Sequence, residues 1–192
     1  RSDYVDNTEN GPGDDLEGYE ESAARLQFLF EPSDTFEALV NVHARRLEGT
    51  ARLFRANIIE PGTNDLIDGF NRDQVSIDGV NRQSLDQVGG NLRMRWDLGR
   101  VSLYSITGYE SVDTFSRGDI DGGFGAAFLG PGNFGPGFIP FPAESADGLP
   151  NHRQYSQEFR VESNEWGRFD WQAGLFWFDE RLSIDSVSYD SL

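Results

Sequence analysis

Apolar and polar residues alternate in three pairs of segments, with Leu39 as an exception and residues 101–112 mixed, and a tight turn joins the two members of each pair. In the first pair, Leu26, Phe28 and Phe30 precede a Pro-Ser-Asp turn. Val40 and Val42 continue the alternation after the turn. A period of two on both sides of a turn predicts a β-hairpin. The six predicted strands cover residues 22–31, 35–46, 85–97, 101–112, 153–163 and 168–179, and a seventh is expected to start near Arg181.

Connections alternate in length along the chain. Turns inside the hairpins are short, whereas residues 47–84 and 113–152 form long connections, and residues 1–21 resemble the end of another. Long loops are uncommon in compact soluble domains. Strict alternation of short and long connections would place all the long loops at one end of the sheet, as in outer-membrane barrels. We therefore expect an antiparallel up-and-down meander that forms part of a transmembrane β-barrel wall without closing it.

The two faces of the predicted strands differ in character. Polar faces that include Arg93, Arg95 and Arg160 suit a wet lumen, and their apolar partners suit lipid. In that arrangement, interfacial girdles are formed by Trp96, Tyr155, Trp171 and Trp177. The facing of the strand 101–112 stays ambiguous. A soluble β-sandwich with one solvated face per sheet gives the same alternation, and it predicts a shared core of Leu26, Phe28, Val40 and Leu92.

Composition excludes several classes of function. Acids outnumber bases 33 to 16, so the formal charge is −17, which disfavours binding to nucleic-acid phosphates. The chain has no Cys, which excludes disulfides, thiolate zinc sites and cysteine nucleophiles. Aromatic residues make up 13% of the chain, more than a disordered segment would carry. No apolar run approaches the ~20 residues of a membrane helix, and residues 1–21 lack the apolar core of a signal peptide.

Catalytic chemistry has little support. His43 and His152 lie on different elements without a triad setting, so we expect no enzyme, no metal and no cofactor. A hydrolase on a β scaffold stays a third alternative, and it would need two carboxylates in a cleft, one of them with a raised pKa, and detectable turnover. Asp119 and Asp121 are spaced like the start of a calcium loop, but the later ligands are missing. We expect them to be solvated turn residues.

Candidate ligand contacts follow from the predicted geometry. The long loops, together with polar side chains facing the lumen, would lie nearest a solute, and arginine can bind an anion through two hydrogen bonds. Phenylalanines in the loop 113–152 could add an apolar contact surface or pack within the loop. For the arginines, ion pairing with Glu37, Glu158 or Glu162 is the structural alternative. The candidate residues are Asn41, His43, Arg93, Arg95, Phe124 and Phe128.

Several stretches resemble TonB-dependent outer-membrane receptors. Ser105-Ile106-Thr107-Gly108-Tyr109, followed by Arg117-Gly118-Asp119-Ile120-Asp121-Gly122, is similar to a strand and loop that recur in that family. Gln157-Glu158-Phe159-Arg160-Val161 and the stretch from Trp171 to Phe178 resemble the next hairpin. An earlier hairpin is matched by Arg25-Leu26-Gln27 and Glu31-Pro32-Ser33-Asp34. The resemblance runs in the family's order from about Tyr19 onward.

The resemblance implies a Gram-negative outer-membrane protein with a 22-stranded barrel and an N-terminal plug. Such receptors import scarce nutrients, most often ferric siderophores or similar chelates, with energy delivered through TonB. No plug, TonB box or aromatic terminal strand is recognised here, so the chain is interpreted as an internal piece of the barrel. The expected partners are outer-membrane lipid, a siderophore-like ligand, and TonB through the N-terminal part of the parent protein. The alternative function is that of a secreted β-sandwich module that binds carbohydrate.

Overall fold

A computed structural model describes residues 2–8, 15–50, 54–55, 58–122, 143–164 and 167–190. Within these ranges the chain contains strands, turns and bends and no helix, so none is available that is long and apolar enough to cross a membrane. The strands are β1 (Asp6–Asn7), β2 (Tyr19–Ser33), β3 (Phe36–Gly49), β4 (Gln74–Val75), β5 (Arg82–Asp97), β6 (Val101–Asp119), β7 (Ala143–Ser163), β8 (Gln172–Arg181) and β9 (Asp185–Asp190).

Seven of these strands form one antiparallel sheet in the order β2-β3-β5-β6-β7-β8, and β9 also pairs with β7. The sheet does not close into a barrel. The predicted all-β antiparallel meander is therefore confirmed. The three short connections follow Ser33, Asp97 and Ser163 and all lie on one edge, here called the short-turn edge. Residues 50–81 and 120–142 connect strands at the opposite edge, called the long-loop edge.

Two strands follow one another along the same side of β7. Arg153 pairs with Arg181 of β8, and Gly148 pairs with Asp185 of β9. The register between β6 and β7 shifts at the same point of β7. Asn151 there has a positive φ of 58°, and its N–H donates a 2.6 Å hydrogen bond to Asp113 Oδ1. These features define a β-bulge, which also accommodates Pro150, a residue with no N–H to donate to a ladder.

The strands are longer at the long-loop edge than the sequence predicts. β6 continues from the predicted end at residue 112 to Asp119, and β7 begins at Ala143 instead of residue 153. The stretch that follows Val112 lacks alternation, so periodicity gave no signal for it. Pairing with β7 holds it in the sheet, which is a tertiary effect. The expected seventh strand is β9, which starts at Asp185 and not near Arg181.

The buried apolar cluster lies outside the large sheet. It joins the segment around β1 to the segment around β4 and consists of Val5, Leu16, Val75 and Ile77. The side chain of Asn7 supports it, because its Nδ2 donates to Ile77 O at 3.1 Å and its Oδ1 accepts from Ile77 N at 3.2 Å. We call this unit, residues 2–8, 15–18 and 73–79, the cap. Part of the regions predicted to be loops is thus packed structure at the long-loop edge.

Candidate functional site

Register assigns every strand residue to one of two faces, because directly paired residues in antiparallel strands project to the same side. Val40 pairs with Leu92, Leu92 pairs with Thr107, and their row defines the apolar face. Asn41 pairs with Asn91, and their row defines the polar face. The ambiguous strand is thereby resolved: Leu103 and Tyr109 lie on the apolar face, and Tyr104 and Glu110 lie on the polar face.

Burial is inverted relative to a water-soluble sheet. On β3, Val40 and Val42 of the apolar face are 38% and 46% exposed, whereas Asn41 between them is only 7% exposed. Leu26 and Phe28 on β2 are more than half exposed as well. The shared core that a β-sandwich would form from Leu26, Phe28, Val40 and Leu92 is not formed by the described residues. On β3, β6 and β7 the polar side is the better shielded one, whereas on β5 the polar residues Asn91, Arg93 and Arg95 are more exposed than Leu92 and Met94.

On β3 and β5 the apolar face carries a band without charged side chains, whereas Arg153, Asp179 and Arg181 lie on this face of β7 and β8. The band extends from Phe36 to Ala44 on β3 and from Val88 to Trp96 on β5, nine residues on each strand. That length matches the ~9–11 residues with which a tilted strand crosses hydrocarbon. Charges return on this face immediately beyond the band, where Arg46 and Asp86 are directly paired.

Aromatic side chains lie on the apolar face, and three of the four predicted girdle residues make ring contacts there. At the short-turn edge, Phe36 makes edge-to-face contacts with Phe30 and Trp96 at centroid distances of 6.5 and 6.4 Å. Tyr155 and Trp177 contact each other at 5.2 Å. These two lie within β7 and β8, not at strand ends, because both strands continue towards the long-loop edge.

The polar face carries a contact between a histidine and a carboxylate that crosses an intervening strand. His43 Nε2 lies 3.1 and 3.2 Å from the two carboxylate oxygens of Glu110, although β5 runs between their strands. Gly89 occupies the intervening position, and a Cβ there would overlap the Glu110 carboxylate. Glycine at this position therefore lets a side chain of β6 reach one of β3. Gln87 Nε2 also donates to Glu110, at 3.4 Å.

Four predicted ligand contacts are described, and all four lie on the polar face. Asn41 is buried and its Oδ1 has no hydrogen-bond partner among the described residues. His43 pairs with Glu110, and Arg95 lies 3.7 Å from Asp97. Arg93 and Arg95 lie near the short-turn edge, so they are not brought together with the long loops. The other two candidates, Phe124 and Phe128, fall outside the described residues.

Sequence reasoning missed a buried carboxylate cluster at the long-loop edge. Asp119 and Asp121 are 1% and 6% exposed, so the expectation of solvated turn residues is wrong. Asp119 accepts hydrogen bonds from the N–H groups of Gly79 at 3.1 Å and Gly122 at 2.8 Å. Burial raises the pKa of Asp119, and the nearby charges of Asp121 and Asp78 raise it further.

The cluster joins the cap to the sheet. One carboxylate oxygen from each of Asp78, Asp119 and Asp121 lies within 4.8 Å of the others, an arrangement of oxygen donors that hard cations use. Both oxygens of Asp119 are already hydrogen-bonded to backbone N–H groups of different segments. Asp119 therefore has a structural role, since it links two segments through their backbone N–H groups. The Asp-x-Asp spacing was the only indication of this cluster in the sequence.

Comparisons of the chain with protein-family models, curated proteins and solved structures find no match.

Proposed function

We propose that the chain forms part of the wall of an outer-membrane β-barrel, with its apolar face in lipid and its polar face lining an aqueous lumen. The observation that carries the proposal is the inverted burial on β3, where exposed valines flank a buried asparagine. A sheet in water minimises exposed apolar surface, whereas a barrel wall in a membrane exposes it to lipid.

Two further features support the same proposal. The three hairpin turns lie at one edge of the sheet and the two long connections at the other, which is the asymmetry of outer-membrane barrels. The buried apolar cluster of the cap lies beyond the long-loop edge, outside the band that would face lipid. The cap has a buried apolar core, as a unit in water needs. The sheet has none among the described residues, as is possible for a wall in lipid.

The resemblance to TonB-dependent receptors suggests the transport role. We propose that the parent protein binds a scarce nutrient, most plausibly a ferric siderophore or a similar chelate, and imports it with energy delivered by TonB. No bond is made or broken in this function. The polar face would supply the wetted wall of the pathway, and the ion pairs on it would hold neighbouring strands in register without obstructing water.

Membrane insertion is tested by fluorescence quenching. The chain is folded into phosphatidylcholine vesicles that contain brominated lipid, and single-tryptophan variants retain either Trp96 or Trp177. We expect both to be quenched, because both lie on the apolar face. A variant with its tryptophan at Asn91 on the polar face is the control and should be quenched much less. Equal quenching of all three, or a compact soluble chain without lipid, would contradict the proposal.

Transport is tested separately, in cells that produce the protein. Uptake of a radiolabelled ferric chelate should require the protein and should stop when a protonophore collapses the proton gradient. Uptake that persists without the gradient would refute a TonB-energised mechanism while leaving the membrane location untouched.

A further inference from the structure

One cross-strand row of the polar face breaks the polar pattern. Its members are directly paired from strand to strand across all six main strands of the sheet. Four of the six are apolar, although they project to the same side as the ion pairs described above. We call this set the Arg93 row, and it consists of Leu29, Leu39, Arg93, Ile106, Glu158 and Phe176.

Arg93 has no ion pair within 4.0 Å among the described residues, and the nearest carboxylate in register, that of Glu37, is directly opposite Arg95 instead. Arg93 lies on the inner strand β5, and its two direct neighbours are Leu39 and Ile106, which cannot accept a hydrogen bond. The Arg93 side chain is exposed. By contrast, other arginines of this face have partners: Arg45 lies 2.6 Å from Glu21, and Arg160 lies 3.1 Å from Glu162.

The remaining charge on the row does not neutralise Arg93. Glu158 is separated from it by Ile106 and lies 3.7 Å from a guanidinium nitrogen of Arg160. Its charge is therefore shared with another arginine, and an anion at Arg93 would lie on the other side of Ile106, towards Leu39 and Leu29. On that side the row presents only aliphatic side chains beside the guanidinium.

We propose that the Arg93 row binds an amphipathic anion, a carboxylate or phosphate attached to an aromatic or aliphatic body. The guanidinium would hold the anionic group through two parallel hydrogen bonds, and the leucines would cover the apolar body. The proposal rests on the proposed function, because it needs a lumen that solutes can enter. It places a solute contact near the short-turn edge of the wall, far from the long loops.

The test uses the full chain in lipid nanodiscs and 2-naphthoate as the probe, with equilibrium dialysis and subtraction of empty nanodiscs. A charge-assisted bidentate contact makes the change Arg93→Gln weaken binding by about tenfold or more. Arg93→Lys, which keeps the charge, should lose less. Arg45→Gln is the matched control, since Arg45 lies on the same face, is paired with Glu21 and contacts no member of the row, and it should leave the dissociation constant within about twofold.

The neutral isostere 2-naphthamide should bind at least about tenfold more weakly than 2-naphthoate, and inorganic phosphate should compete for the anionic subsite. Binding of 2-naphthoate that is unchanged in Arg93→Gln would overturn the proposal, as would an equal loss in Arg45→Gln. If the chain enters the nanodisc but shows no saturable binding, the proposed anion binding at the Arg93 row is refuted and the membrane location is not. A chain that stays outside the nanodisc overturns the row and the proposed membrane location together.

Discussion

Replacing Val40 by Arg should reveal which medium contacts the apolar face. Val40 is the central residue of the uncharged band on β3, with Ala38 and Val42 on either side along the same face. It is 38% exposed, so an arginine there would have room and, in water, access to solvent. In a lipid bilayer the same guanidinium would lie near the midplane.

The expected cost follows from that position. An arginine facing lipid at the midplane of a β-barrel destabilises folding by about 2–4 kcal/mol. At ~1.4 kcal/mol per factor of ten, this lowers the folding equilibrium constant roughly 30-fold to several hundred-fold. The matched control is Asn91→Arg, which lies on β5 within one residue of the row of Val40 but on the polar face. A polar-face arginine should cost less than about 1 kcal/mol, because it stays in water.

The assay is urea titration of the chain folded into phosphatidylcholine vesicles, followed by tryptophan fluorescence and linear extrapolation to zero denaturant. We expect the free energy of unfolding to fall in Val40→Arg by at least about 2 kcal/mol more than in Asn91→Arg. If the two variants lose equal stability, both faces contact the same medium and the inference from burial is wrong.

Three further changes test other parts of the structure. Gly89→Ala should displace the Glu110 carboxylate from His43 while leaving the ladder intact. The resulting change in the NMR resonances of His43 should match that caused by Glu110→Gln. The double variant should then show no additional change. Leu16→Ala should lower the stability of the cap by about 2–5 kcal/mol. It should remove hydrogen-exchange protection from residues 2–8 and 73–79 but not from the β3–β5 ladder. Phe169→Ala, at a 79% exposed position, is the control and should change neither stability nor protection. Because the pKa of Asp119 is raised in the folded state, the stability of the cap junction should fall as pH rises above the ordinary value of 3.8, and Asp119→Asn should flatten that dependence; a slope unchanged in the variant would assign the effect to another group.

Alternation allowed the sheet to be predicted where one face is uniformly apolar. Val40, Val42 and Leu92 carry that signal, and the tight turns fix which segments pair. Residues 113–119 and 143–149 carry no such signal, because their few apolar residues do not alternate; the ladder and the 2.6 Å ion pair between Arg117 and Glu144 hold them. The bulge at Asn151 also interrupts the periodicity of β7.

The candidate site was predictable only in part, since register decides which side chains meet. The sequence indicated that Asn41, His43 and Arg93 share a face, but the partner of His43 comes from a strand that is not adjacent to its own. The isolated apolar residue Leu39 looked like an exception to the alternation. Pairing aligns it with Leu29 and Ile106, a juxtaposition that no spacing within one strand could reveal.

The location of the apolar cluster bears on how the sheet is stabilised. Each backbone hydrogen bond contributes only about 0.5–1.5 kcal/mol net in water, while fixing one residue costs about 1–2 kcal/mol of backbone entropy. A ladder without a packed face therefore gains little in water, and the described residues place no second layer over the band. In hydrocarbon an unpaired backbone group costs several kcal/mol, so the same ladder becomes strongly favourable. By that argument the outer strands of the sheet, β2 and β8, must also find partners in the membrane, from further strands of a complete barrel or, in the vesicle and nanodisc experiments, from a second copy of the chain.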